Sequence, residues 1–157
     1  MSSPLTILTE GSGYCFALWR NLYLLDFCGT PTVEGIRATL SAKQAAVVKS
    51  PGGLAVLNFL APGPLLTAEA RQIASEVQSA DVKDVLCHGT VVEATGFAGS
   101  AMRSVLTAMR AFDKSPFPRK VFGDVGEAIR WQADTTKASA EWTIGARIAV
   151  DEMRRRR

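Results

Sequence analysis

Residues 85–131 read VLCHGTVVEATGFAGSAMRSVLTAMRAFDKSPFPRKVFGDVGEAIRW, and their pattern decides the fold. The first eight, VLCHGTVV, form an apolar run of strand length. Ala98, Met102, Val105, Leu106, Met109 and Phe112 then recur at i, i+3, i+4 spacing, with Arg103, Thr107 and Arg110 on the other face. That is the pattern of an amphipathic helix. Ser115-Pro116-Phe117-Pro118 makes a rigid loop, RKVF at 119–122 a short strand, and Asp124 caps a helix over 125–133 with Ala128, Ile129 and Trp131 facing in. Strand, helix, strand, helix in this order calls for parallel strands joined by helical crossovers.

The flanking segments extend the pattern. LAVLNFLA at 54–61 is a continuous apolar run between Gly53 and the Pro62-Gly63-Pro64 break. Such a run is expected of a central strand buried on both faces. A helix follows over 67–79, with Thr67 as N-cap, Glu69 in the first turn and Ala70, Ile73, Ala74 and Val77 on one face. An earlier helix over 31–50 starts at Thr30-Pro31-Thr32, a capping hydroxyl with a proline in the first turn, and stops at Ser50-Pro51-Gly52-Gly53.

YCFALWR at 14–20 and LYLLDFCG at 22–29 predict an antiparallel hairpin turning at Arg20-Asn21, with Asn21 suited to the left-handed conformation. Asp26 reads as an edge or solvent-facing position, because carboxylates are rarely buried. Residues 1–13 form an N-terminal arm or, through Leu5, Ile7 and Leu8, an edge strand. After a polar break at 134–139, a last helix over 140–153 carries Trp142, Ile144, Ile148 and Val150 and either packs back or docks on another chain. The expected architecture is α/β: a mixed sheet of four to five strands, antiparallel hairpin first and parallel strands after, covered by helices, plus an extra C-terminal helix. The chain divides into the arm or edge strand at 1–13, an α/β domain at 14–133, and a C-terminal helix with a basic tail at 134–157.

At 157 residues, 47% hydrophobic and 21% charged, the chain is long enough for one domain with a self-sufficient core. The formal charge of +3 comes from Arg154, Arg155, Arg156 and Arg157; without these four, 14 basic residues face 15 acidic ones. The body is near neutral, unlike a fold with a nucleic-acid-binding face. Cys15, Cys28 and Cys87 are scattered in apolar surroundings, which predicts reduced, buried thiols in a cytoplasmic protein, with a Cys15–Cys28 bridge across the hairpin as the alternative. No window reaches the apolar length of a membrane span.

The element order resembles that of STAS domains, the fold of bacterial anti-anti-sigma factors, and the local sequence is similar in style to STAS/SEC14-like bacterial proteins. The residues that carry the likeness are LYLLDFCG at 22–29, GFAGSAMRSVL at 96–106 and PRKVFGDVGEAIRW at 118–131, within a span from Tyr14 to Trp131. The resemblance implies a regulatory domain acting through other proteins. The family's phosphorylatable serine has no counterpart: the corresponding stretch, 58–67, reads NFLAPGPLLT, where Thr67 is the one hydroxyl and looks like a cap. No phosphorylation site or kinase partner is expected.

His88 is the only histidine. A catalytic His88 would need Asp26 or Glu93 as partner; inside a strand it reads first as structural. One His and three scattered Cys give no metal-ligand spacing, and no cofactor motif is present: neither a P-loop ending nor a complete GxGxxG. Ser100 and Ser104 lack a nucleophile elbow. Gly96, Phe97, Gly99 and Ser100 open a helix whose N-terminus, with Arg103 one turn on, suits a small acidic ligand or a partner's carboxylate; the same glycines also suit close strand-to-helix packing. The arginine tail is either a solvated end or a weak contact for anionic membrane or nucleic acid. The leading expectation is a non-enzymatic regulatory or scaffold domain that binds another protein or itself through the C-terminal helix. The alternatives are a small-ligand or lipid carrier, with a cleft between the hairpin and the third helix near Phe97 and Met102, and an enzyme using His88.

Overall fold

The computed structural model describes residues 4–61, 66–79, 82–110 and 114–156. The Pro62-Gly63-Pro64 break, Phe112, Arg157 and residues 1–3 of the arm lie outside the described residues, as do the side chains of Met109 and Arg110.

Six strands make one sheet in chain order: β1 (Thr6–Gly11), β2 (Tyr14–Trp19), β3 (Leu22–Phe27), β4 (Leu54–Leu60), β5 (Val85–Val91) and β6 (Arg119–Phe122). The first three are antiparallel and β3 to β6 run parallel. Five helices accompany them: α1 (Val33–Lys49), α2 (Ala68–Ser79), α3 (Gly96–Arg110), α4 (Val125–Thr136) and α5 (Ala140–Arg154). The α/β class, the hairpin and the parallel strands are as expected. The strand count is six because residues of the N-terminal arm pair with β2, from Thr6 opposite Leu18 to Gly11 opposite Tyr14.

The strand order dictates the layers. Successive parallel strands advance in one direction, so right-handed crossovers put α1, α2 and α3 on one face. That face carries Phe16, Tyr23, Leu25 and Val56, with Ala42 and Ala46 of α1 packed on it. The opposite face, Trp19, Leu24, Leu57 and Phe122, is covered by Ile129 of α4 and by Trp142, Val150 and Met153 of α5. The last helix therefore packs back: it supplies half the cover of the second face. Trp19 and Trp142 meet at 6.0 Å, and Trp142 Nε1 donates to Asn21 Oδ1 at 2.9 Å. Among the described residues, no helix is long and apolar enough to cross a membrane.

Several local expectations shift for identifiable reasons. β3 lies between β2 and β4, so Asp26 is fully buried between Cys15 and Phe59, not at an edge. The hairpin's left-handed residue is Arg20, at φ 51°, while Asn21 serves as the acceptor for Trp142. Cys15 faces Asp26 while the Cys28 amide donates to the Gly13 carbonyl, so the two cysteines are offset along the hairpin. All three thiols are free; Cys28 is exposed and the other two are buried. Burial pushes the Cys87 thiol up to about 12. The cap of α1 is Thr32, which accepts from the Gly35 amide at 3.1 Å, leaving Pro31 ahead of the helix. Thr67 and Asp124 cap α2 and α4 as expected, at 3.1 and 2.9 Å. The polar break is shorter than 134–139, since α4 continues to Thr136 and ends at Lys137 in the left-handed region. Gln132, fully buried on α4, was absent from the inward set; its Nε2 donates to the Val56 carbonyl.

Candidate functional site

The second face closes tightly; the first does not. Among the described residues of α3, only Gly99 is buried, and Met102, Arg103 and Leu106 are half-buried. Phe97 is left 89% exposed and Val105 58%.

Beneath α1, α2 and α3 lies a cavity of about 450 Å³ against the sheet. Strand register arranges its floor in two rows. One runs Tyr23, Val56, His88, Arg119 across β3, β4, β5 and β6; the next, shorter, runs Leu25, Asn58 across β3 and β4. The helices add Ile36 and Thr39 from α1, Ala74 and Val77 from α2, and Leu106 from α3, while Phe117 closes one end. This volume lies in the range of small-molecule sites, and so does the composition, mostly apolar with a few polar groups.

The polar groups are held in distinct ways. Tyr23 donates its hydroxyl to the Thr39 carbonyl at 2.9 Å, and burial raises its phenol well above the ordinary value. Arg119 Nη2 lies 3.2 Å from His88 Nδ1. Arginine only donates, so at this contact the His88 nitrogen is placed to accept. The Arg119 guanidinium also lies over the Phe117 ring at 5.2 Å. Among the described residues, Asn58 Oδ1 is buried with no hydrogen-bond partner. A buried carboxamide oxygen left without a donor costs free energy, and a bound molecule can repay that cost. Asn58 was legible as the single polar residue in LAVLNFLA; its alignment with the cavity was not.

Neither of the partners expected for a catalytic His88 shares its face of the sheet. His88 shares a sheet face with Val56, whereas Asp26 and Glu93 lie on the other side, where Glu93 Oε1 binds Arg154 Nη1 at 2.8 Å. The remaining expected contact residues sit apart from the cavity. Gly96 takes a positive φ of 76° to start α3, and a Cβ at Gly99 would stand 2.1 Å from the Ala94 carbonyl oxygen. Arg103 does not reach toward an anion: its Nη1 donates to the Val92 and Ala94 carbonyls at 2.9 and 2.8 Å, and its Nη2 to Ser100 Oγ at 3.3 Å. These residues tie α3 to β5. Phe97 and Met102 do not line the cavity.

The basic tail is partly structural. Arg154 ends α5, pairs with Glu93 and stacks over Phe59 at 4.4 Å. Arg156 pairs with Glu152 at 3.4 Å across one turn, and Arg155 is exposed. Among the described residues, no three His, Cys, Asp or Glu side chains gather as a metal site would require. A wider hollow of about 950 Å³ lies between α3, β6 and α4, over Lys120, Glu127, Arg130 and Trp131. It is an open furrow with charges of both signs, and would bury less of a ligand than the cavity does.

No family model, no curated protein and no solved structure matches the chain.

Proposed function

We propose that the chain is a non-enzymatic, STAS-like domain whose task is to bind a small, mainly apolar molecule carrying a hydrogen-bond donor in the cavity under α1, α2 and α3. The carrying observation is an apolar cavity of about 450 Å³ whose wall contains the undonated Asn58 Oδ1. The element order and the mixed sheet support the family reading. The three free thiols support a reducing, cytoplasmic setting.

The test uses N-phenyl-1-naphthylamine, a neutral apolar fluorophore, and the variant Leu106→Trp, which fills the cavity from the α3 side. The intact chain should bind one probe with saturable fluorescence gain. The variant should remain folded and bind about tenfold more weakly, the loss of roughly one well-buried contact. Absent saturable binding, or equal binding by a folded variant, would contradict the proposal.

Self-association is a second reading with its own observation. The outer side of α5 leaves Ile144 64% and Ile148 50% exposed, one turn apart. Sedimentation velocity should then show a concentration-dependent dimer that Ile144→Glu with Ile148→Glu converts to monomer. A monomer at every concentration would end this reading.

A further inference from the structure

The hydroxyl protons at the β3 and α1 side of the cavity are committed. Tyr23 donates its own to the Thr39 carbonyl at 2.9 Å, and Thr39 donates its own to the Ile36 carbonyl at 2.6 Å. Both residues line the cavity, and each oxygen keeps only lone pairs for a guest. Asn58 stands in the next row, opposite Leu25. Its buried Oδ1 accepts a hydrogen bond from none of the described residues. A guest that bonds at this end therefore has to bring a proton. Val77 from α2, Val85 from β5, Leu106 from α3 and Phe117 supply apolar wall for the rest of it. Among the described lining residues none is acidic, and Lys43, Arg71 and Arg119 are basic.

We infer, resting on the small-molecule reading above, that the donor is one uncharged hydroxyl, so that the ligand is an aliphatic alcohol. Its O–H donates to Asn58 Oδ1, and its hydrocarbon lies against Val77, Val85, Leu106 and Phe117. Other common head groups fit this end less well. A carboxylate has no proton to give. An ammonium has protons but brings a charge into the cavity, with no acidic side chain among the described lining residues to offset it. A buried charge without a counter-charge costs far more than one hydrogen bond returns. An amide brings a carbonyl oxygen that needs a donor, where the protons of Tyr23 and Thr39 already go to backbone carbonyls. A hydroxyl meets the one waiting oxygen with one proton and needs no donor in return.

The experiment displaces N-phenyl-1-naphthylamine from the intact chain with 1-decanol, its isomer 1-methoxynonane, and decylammonium. The isomers hold the same atoms, and only the alcohol donates. 1-Decanol should displace the probe at a concentration about tenfold below the ether, the worth of one hydrogen bond to an otherwise unbonded buried acceptor, and decylammonium should be the weakest of the three. Asn58→Leu replaces the acceptor by an apolar side chain of similar size. It should erase the preference for the alcohol, leave displacement by the ether unchanged, and not lower the melting temperature, since the unbonded oxygen is gone. A purely structural Asn58 would instead give a lower melting temperature and an unchanged preference, which would contradict the inference. Displacement by decylammonium at or below the concentration of the alcohol would overturn the uncharged hydroxyl and leave a donor-bearing ligand standing. Equal displacement by the two isomers would overturn the hydroxyl and the donor together, while saturable probe binding would keep the cavity as a site. The isomer comparison uses the intact chain, so it decides the inference even where Asn58→Leu does not fold.

Discussion

A chain ending at Asp134 should not fold. Such a chain lacks α5, and with it Trp142, Ala146, Ala149, Val150 and Met153, all buried in the core of the second sheet face. The uncovered partners, Trp19, Leu24 and Leu57 among them, would meet water. Large apolar side chains contribute about 1.5–3 kcal/mol each on full burial. Losing Trp142, Val150 and Met153 alone therefore removes a large share of the roughly 5–15 kcal/mol that holds a domain together. The bond from Trp142 Nε1 to Asn21 Oδ1 goes as well, which frees the hairpin turn. The whole chain should show a cooperative urea transition by near-ultraviolet circular dichroism, and the shortened chain none. A cooperative transition in the shortened chain would mean that α5 is an appendage.

Gly145→Val should lower the melting temperature sharply. An ideal Cβ at Gly145 would stand 2.3 Å from Trp19 Cζ2, on a ring only 2% exposed and with nowhere to move. Two effects oppose here. Replacing a helical glycine ordinarily gains up to about 1 kcal/mol of backbone propensity. Forcing a side chain into a filled core costs about 1–3 kcal/mol or more, and valine adds two methyls beyond the clashing Cβ. The clash wins, by about 2 kcal/mol, which for a domain of this size is a fall of roughly 4–8 °C. Gly52→Ala, where a Cβ would meet nothing within 4 Å, serves as the control and should change little. Equal melting of the two variants would contradict the close approach of α5 to β2.

These two sites show what could be read from the residues alone. LAVLNFLA and VLCHGTVV announced interior strands because a strand covered on both faces has no reason to alternate, and both are interior. The caps at Thr67 and Asp124 were legible because a helix start depends only on a few adjacent residues. Burial that depends on a distant element was not. Asp26 is interior because β3 pairs with both β2 and β4 and because α4 and α5 cover that face. The need for α5 followed from the one-way strand order, which leaves a whole face for α4 and α5, and no local pattern in the α5 sequence states it.

The cavity was hidden for a related reason. The spacing of Met102, Val105 and Leu106 correctly predicts a helix, but periodicity cannot say how closely that helix will approach a sheet. In the fold Leu106 reaches the cavity, while Val105 turns toward solvent. The polar residues that make the site distinctive come from 54–61, 85–92 and 119–122, and only the register of three parallel strands sets His88 beside Arg119, with Asn58 in the neighbouring row of the same face. GFAGS, by contrast, looked like a site by itself. Its glycines and Arg103 are consumed in joining α3 to β5.

The most direct test of a ligand site under α1, α2 and α3 is a nuclear magnetic resonance titration of the labelled whole chain with N-phenyl-1-naphthylamine. The structure predicts saturable shift changes at Tyr23, Leu25, Val56, Asn58, Leu106 and Phe117, which line the cavity, and none at the exposed Ile144 and Ile148. Shifts confined to exposed Phe97, Ile144 and Ile148, or no saturable shifts at the lining residues, would contradict it.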